Sequence, residues 1–298
     1  MSTEPHALVF AAAGRPAYRQ ALLMLGRVAL ARGLAPPEVL SGWESAQWIY
    51  DAVDAELREQ AGAAVADLPV DWALVPLEGR RKRLLVADMD STIIACECLD
   101  ELADFAGRGA ETAAITARAM AGELAFEPAL IARVAKLKGL ALSALQSCFD
   151  ARVRLNPGAE ILVKTMAAHG ARCVLASGGF SFFTTRVARL AGFHGERANT
   201  LLDDGHALTG EVARPILGGA AKLEALQREA ANLGLTPHDA LALGDGANDL
   251  DMIAAAGLGL AYRAKPILAA AAHASIEHTT LATALFFQGY ARSEFWTA

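Results

Sequence analysis

The stretch LLVADMDSTII, Leu84–Ile94, sets two aspartates, Asp88 and Asp90, directly behind a short apolar run. A continuous apolar run bounded by polar residues reads as a strand buried on both faces of a parallel sheet. Residues i and i+2 of an extended segment share a side, so both carboxylates are expected to project beyond the strand's carboxyl end. That is where open α/β sheets place their ligands. Two like charges so close repel, and the arrangement calls for a bound proton or a cation between them. A helix cap by Asp90 and Ser91 would explain one acid and leave the other unexplained.

Two further segments repeat the pattern. ARCVLASGG (Ala171–Gly179) ends in Ser177, Gly178 and Gly179 ahead of the helical FSFFTTRVARLAG. A hydroxyl and free backbone N–H groups at a helix N-terminus suit an anion. ALALGDGAND (Ala240–Asp249) ends in Asp245, Asn248 and Asp249, with Gly244 and Gly246 permitting a tight turn beside a ligand. Each ending alone is also an ordinary strand-to-helix turn, and Lys222 in GGAAKLEAL is by itself an ordinary helix lysine. An acidic cluster, an anion cradle and a lysine on one sheet edge together supply what phosphoryl transfer needs. Mg²⁺, which takes one or two carboxylates plus phosphate oxygens, is the expected cation.

Outward from these strands, residues from about Cys96 to Leu155 carry helical periodicity throughout and predict four short helices. A helical bundle inserted directly after the first strand is placed to cover the site and exclude water. Before Leu84, the order of apolar segments is βαββαβ, the split-βαβ pattern of a ferredoxin-like α+β sandwich. The basic cluster Gly79–Arg83 reads as a solvated connector. The expected domains are therefore 1–80 and 81–298, with the helical insertion at about 96–155.

The chain has 298 residues, 54% of them apolar and 20% charged, enough for a sizeable core in one large or two modest domains. Its net charge of −6 argues against nucleic acid or an anionic membrane as partner. The start, MSTEPHALVFAAAGR, reads as neither a signal peptide nor a span, and no later apolar run reaches the roughly 20 residues a bilayer requires. A soluble, cytoplasmic protein is expected. Cys96, Cys98, Cys148 and Cys173 are too few for a disulfide framework, and one C-x-C is a weak zinc signal, so buried reduced thiols are expected.

DMDST, LASGG, the lysine of GGAAK and GDGAND resemble, in order and character, the four motifs of the haloacid dehalogenase-like phosphatases, over about Arg83–Leu260. The set is highly specific, because four separated motifs must match in sequence. The resemblance implies a Rossmann-like α/β core with a helical cap. Glu97 and the segment MAGELAFEPALIARV narrow it to the phosphoserine phosphatases, phosphoric monoester hydrolases of serine biosynthesis. It implies Asp88 as the nucleophile that becomes an aspartyl-phosphate and Asp90 as the acid and base. Mg²⁺ would rest on Asp88, the Asp90 carbonyl and Asp245, with Asp249 in support. Ser177, Gly178, Lys222 and Asn248 would surround the phosphoryl group. Glu97 and Arg133 would grip the amino and carboxylate groups of O-phosphoserine, with Met120 and Phe126 shaping the pocket. The N-terminal module resembles the ligand-binding ACT domains found in larger bacterial members, and a homodimer through it is an expectation.

A phosphotransferase that hands the phosphoryl group to another hydroxyl amino acid such as homoserine shares these motifs. More remote readings are an ion-pump fragment, which the missing spans disfavour, and a non-catalytic amino-acid sensor, which the retained Asp88 and Asp90 disfavour.

Overall fold

The computed structural model describes residues 4–120 and 123–297. Its first half-dozen elements are β1 (His6–Ala12), α1 (Arg15–Ala31), β2 (Glu38–Ser41), β3 (Ser45–Tyr50), α2 (Ala55–Val65) and β4 (Val70–Pro76). The strands form an antiparallel sheet in the order β2-β3-β1-β4, as the split-βαβ reading requires. Alternation along β1 sends Leu8 and Phe10 beneath α1 and α2, where they pack with Tyr18, Trp48 and Leu57. The intervening Ala7, Val9 and Ala11 face the opposite way and belong to the core of the remainder of the chain. The N-terminal sheet is thus a layer with helices on one face and the main body on the other.

The basic segment after β4 differs from the solvated connector expected of it. Arg80 is buried and donates to the carbonyls of Phe287 and Phe286 at 2.7 and 3.2 Å. Burial lowers its pKa to about 10. Arg81 pairs with Glu294 at 2.9 Å and lies 4.1 Å from the Tyr290 ring centroid; Arg83 pairs with Asp239. Carbonyls and acids distant in sequence hold these side chains, and a local reading has no access to them.

β5 (Leu84–Ala87) is an inner strand of a six-stranded sheet ordered β12-β11-β10-β5-β6-β7, parallel at every pairing. Its neighbours are β10 (Ala240–Gly244) and β6 (Arg172–Phe180), with β7 (Gly195–Asn199), β11 (Leu258–Tyr262) and β12 (Ala274–Ile276) outside them. Ala87 is in register with Leu243 on one side and Leu175 on the other. Asp88, Gly244 and Ala176 therefore start three chain exits at one level of one edge. β6 runs through Ser177–Gly179 to Phe180, with a register irregularity after Ala176, and α8 (Ser181–Ala191) begins beyond them. The glycines expected at a helix start are thus the end of a strand.

The insertion between β5 and β6 carries the four expected helices: α3 (Cys98–Phe105), α4 (Gly109–Met120), α5 (Phe126–Ala135) and α6 (Leu142–Arg152). The chain returns to the sheet through α7 (Ala159–Ala168). A hairpin of β8 (Leu201–Asp203) and β9 (Leu208–Val212) ties the insertion down, with Gly139 N–H donating to the Leu208 carbonyl and Leu208 N–H to that of Leu140. Among the described residues no helix is long and apolar enough to cross a membrane.

Candidate active site

The floor of the site lies where β5 and β10 end. Asp88 donates its N–H to the Leu243 carbonyl at 2.9 Å, and its Oδ1 accepts from Met89 N–H at 2.8 Å. These bonds fix its carboxylate before any ligand arrives. Its Oδ2 lies 2.8 Å from Nζ of Lys222, on α9 (Gly219–Asn232), and the same Nζ lies 2.6 Å from Asp249 Oδ1. Asp249 Oδ2 accepts from the N–H groups of Asp245 and Gly246 at 3.3 and 3.2 Å. A Cβ on Gly244 would stand 2.4 Å from Asp249 Cγ, so this glycine makes room for an acid, a role distinct from the turn freedom read in the sequence.

Asp90 lies in the turn Met89–Ile93 rather than on the strand, with Ser91 in the left-handed region at φ 55°. Asp90 Oδ1 accepts from Cys98 N–H at 2.9 Å, and Ser177 Oγ donates to Oδ2 at 3.4 Å. Ser177 Oγ also accepts from Gly179 N–H at 2.9 Å. A Cβ on Gly179 would sit 2.7 Å from Asp90 Oδ2, so Asp90 reaches the S-G-G cradle only because that residue is glycine.

Burial raises Asp88 well above the usual carboxylate range, with the Lys222 charge opposing it. Burial followed by the charge of Glu97 pushes Asp90 up to about 7. Burial followed by the charge of Asp249 pushes Asp245 up to about 6. Desolvation works against the charge on Lys222, but Asp88 and Asp249 more than offset it and hold its pKa above the ordinary value. One ammonium therefore faces a surplus of carboxylates. One oxygen from each of Asp88, Asp245 and Asp249 falls within a 4.8 Å cluster. This excess of hard oxygen donors fits a divalent cation.

Above the floor, Glu97 Oε1 accepts from Ser91 Oγ at 2.7 Å. Arg133, on α5, reaches Asp100 Oδ1 at 3.4 Å and Thr116 Oγ1 at 3.3 Å, and its buried Nε has no hydrogen-bond partner. Phe126 opens α5 with its ring against two core glycines: a Cβ on either Gly178 or Gly218 would come within 3.2 Å of it. The insertion thereby closes onto the S-G-G cradle through one aromatic ring. Asn248 is exposed at the rim. The side chain of Met120 lies outside the described residues. The sequence reading omitted Thr92, whose Oγ1 donates to Asp245 Oδ1 at 3.2 Å, and Asp100 and Thr116, which hold Arg133. Thr92 carried a signal, as the last residue of DMDST; Asp100 and Thr116 carried none, since helix packing alone brings them to Arg133.

The model of the haloacid dehalogenase-like hydrolase family matches residues 85–254. A phosphoserine phosphatase of Streptomyces coelicolor is 43% identical over 241 residues, a match covering 80% of this chain and 58% of the relative, so the chain spans less than two thirds of that protein. The unliganded structure of a probable phosphoserine phosphatase from Vibrio cholerae superposes with a TM-score of 0.77 at 30% identity, over 97% of this chain and 88% of that one. A phosphoserine phosphatase structure holding an analogue of the phospho-aspartyl intermediate gives a TM-score of 0.64 at 37% identity, over 70% of this chain and 99% of that one.

Proposed function

The chain belongs to the haloacid dehalogenase-like hydrolase family, and from that membership and the geometry of its site we propose that it hydrolyses O-phospho-L-serine to serine and phosphate. The carrying observation is the division between two neighbouring aspartates. Burial raises Asp88, but its Oδ2 lies 2.8 Å from the Lys222 ammonium, whose charge opposes that rise, and among the described residues Asp90 has no such partner at that distance. Asp90 sits at about 7, which favours a carboxylic acid ready to donate near neutral pH.

In the first step an Asp88 carboxylate oxygen attacks phosphorus while Asp90 delivers its proton to the seryl oxygen. The phosphorus–oxygen ester bond breaks, serine leaves, and Asp88 carries the phosphoryl group. In the second step the Asp90 carboxylate takes a proton from water as that water attacks phosphorus, freeing phosphate and restoring both acids. Ser177 Oγ, the Gly178 backbone, Lys222 and Asn248 supply positive charge and donors for the equatorial oxygens. Asp88, the Asp90 carbonyl and Asp245, with Asp249 in support, would hold Mg²⁺, which would supply positive charge to neutralise the phosphate.

The insertion supplies selectivity. A zwitterionic substrate needs an acid and a base away from the phosphate, and Glu97 and Arg133 offer them, with the unsatisfied Arg133 Nε able to donate to a carboxylate. Phe126, whose ring packs against Gly178 and Gly218, forms a pocket wall and excludes water. Domains at 1–80 and 81–298 and a homodimer through the N-terminal module complete the proposal. The edge strand β2, whose Val39 is exposed, is one surface for self-pairing.

The test is a screen of phosphorylated amino acids with and without Mg²⁺, run beside Asp88→Asn. Phosphate release from O-phosphoserine should dominate, require Mg²⁺, and vanish in the variant. Release from simple aryl phosphates alone would defeat the substrate assignment, and O-phosphohomoserine forming when homoserine is added would establish the phosphotransferase.

A further inference from the structure

The proposed reaction leaves unused the pair of thiols that flank Glu97. Of the cysteines, Cys98, Cys148 and Cys173 are buried, whereas Cys96 is partly exposed, a departure from the uniformly buried set expected of the sequence. Glu97 is extended, at φ −95° and ψ 105°. Residues i and i+2 of such a segment point to one side, and Cys96 Sγ, which also lies 3.8 Å from the Arg152 carbonyl oxygen, is near enough to the Cys98 thiol for each to perturb the other. Two residues of extended chain span about 6.6 Å, inside the roughly 4.4–6.8 Å between Cα atoms that a disulfide accepts. The same short segment also holds the machinery. Cys98 N–H is the donor that fixes Asp90 Oδ1, Cys98 opens α3, and Glu97 is bonded to Ser91.

We propose that Cys96 and Cys98 form a reversible oxidation site, which closes to a disulfide under a peroxide and in doing so pulls Glu97 and the Cys98 N–H away from their partners. The partly exposed Cys96 reacts first. Its sulfur attacks one peroxide oxygen, the O–O bond breaks, and Cys96 becomes a sulfenic acid as water leaves. Cys98 sulfur then attacks Cys96 sulfur, the S–O bond breaks, and hydroxide takes the Cys98 proton to form a second water. Two thiols have lost two electrons and the peroxide has gained them. A small dithiol reverses the step by exchange, since its thiolate attacks the disulfide and is itself oxidised. The neighbouring Cys98 thiol lowers the Cys96 pKa, which agrees with the greater exposure of Cys96 in making it the attacking group.

Oxidation changes turnover only if the phosphatase reading holds, so the experiment reads two quantities from the full-length, Mg²⁺-loaded protein exposed to hydrogen peroxide. One is the mass of the peptide containing both cysteines; the other is phosphate release from O-phosphoserine. The expected result is a peptide lighter by about 2 Da appearing at the rate at which turnover is lost, both reversed by dithiothreitol. Cys96→Ala should keep basal turnover and lose it at least about tenfold more slowly under peroxide. Equal inactivation of Cys96→Ala overturns the proposal. So does oxygen addition at Cys96 without the lighter peptide, a bond from Cys96 to Cys148, or a disulfide that leaves turnover intact. If no turnover exists to begin with, the phosphatase reading fails on its own, and the peptide mass still decides the thiol site.

Discussion

The floor of the site and the helical insertion above it bind charge in opposite ways. On the floor, Asp88 and Asp249 are 4% and 0% exposed and share one lysine that is 2% exposed, with contacts of 2.6 and 2.8 Å. In the insertion, Arg133 meets Asp100 and Thr116 only at 3.4 and 3.3 Å, and one of its nitrogens is unsatisfied. A floor built this tightly is organised before substrate arrives, as chemistry on a developing charge requires. The lid keeps hydrogen-bonding capacity in reserve, as selection among ligands requires. Under the proposed function, reaction and recognition would fall to separate layers, joined by Phe126 against Gly178 and by Glu97 beside Asp90.

The sharpest way to break this comparison is to remove the floor's cation. Lys222→Met should lower kcat by roughly 10²–10³, as losing one preorganised donor to developing charge typically does. It should also destabilise the metal-free fold at neutral pH by about 3–5 kcal/mol, because buried carboxylates lose their partner. Steady-state kinetics and denaturant melts check both; a variant with full stability would mean that the acids are not held as described.

The lid should fail differently. Arg133→Ala is expected to cut kcat/KM for O-phosphoserine by roughly 10–100-fold, the worth of one charged hydrogen bond, while leaving an aryl phosphate nearly unaffected. Parallel kinetics on both substrates reads the split. Equal losses would place Arg133 in the chemistry and erase the distinction between layers.

A further expected effect concerns pH. Asp90 and Asp245 are raised from 3.8 to about 7 and about 6 in the folded state, so the fold holds more protons than the unfolded chain between those limits. Stability from these groups is complete below about pH 4 and is lost as pH rises through 6 and 7. With EDTA present, the Tm contribution should therefore decline from pH 5 to 7.5. Mg²⁺ should raise Tm more at pH 7.5 than at pH 5, since it binds the ionised acids. Calorimetry at the two pH values tests the sign.

The motif strands, the four helices of the insertion and the βαββαβ order before them were all legible, because each rests on local periodicity and on polar residues at strand ends. The reason for particular residues was less so. Gly244 and Gly179 read as turn glycines, yet their missing side chains make space for Asp249 and Asp90. Arg80 read as a solvated linker residue, yet it caps carbonyls about two hundred positions away.

By itself the sequence determined the order of elements and which acids, glycines and lysine stand at strand ends, since both follow from neighbours along the chain. Only the tertiary structure decided that Ala87 lies level with Leu243 and Leu175, that one lysine bridges two acids, and that the N-terminal sheet lends its second face to the main core. Those outcomes depend on strand register and packing between segments far apart in the chain, and desolvation, which sets the charge state of Asp88 and Asp90, exists only once that packing has closed.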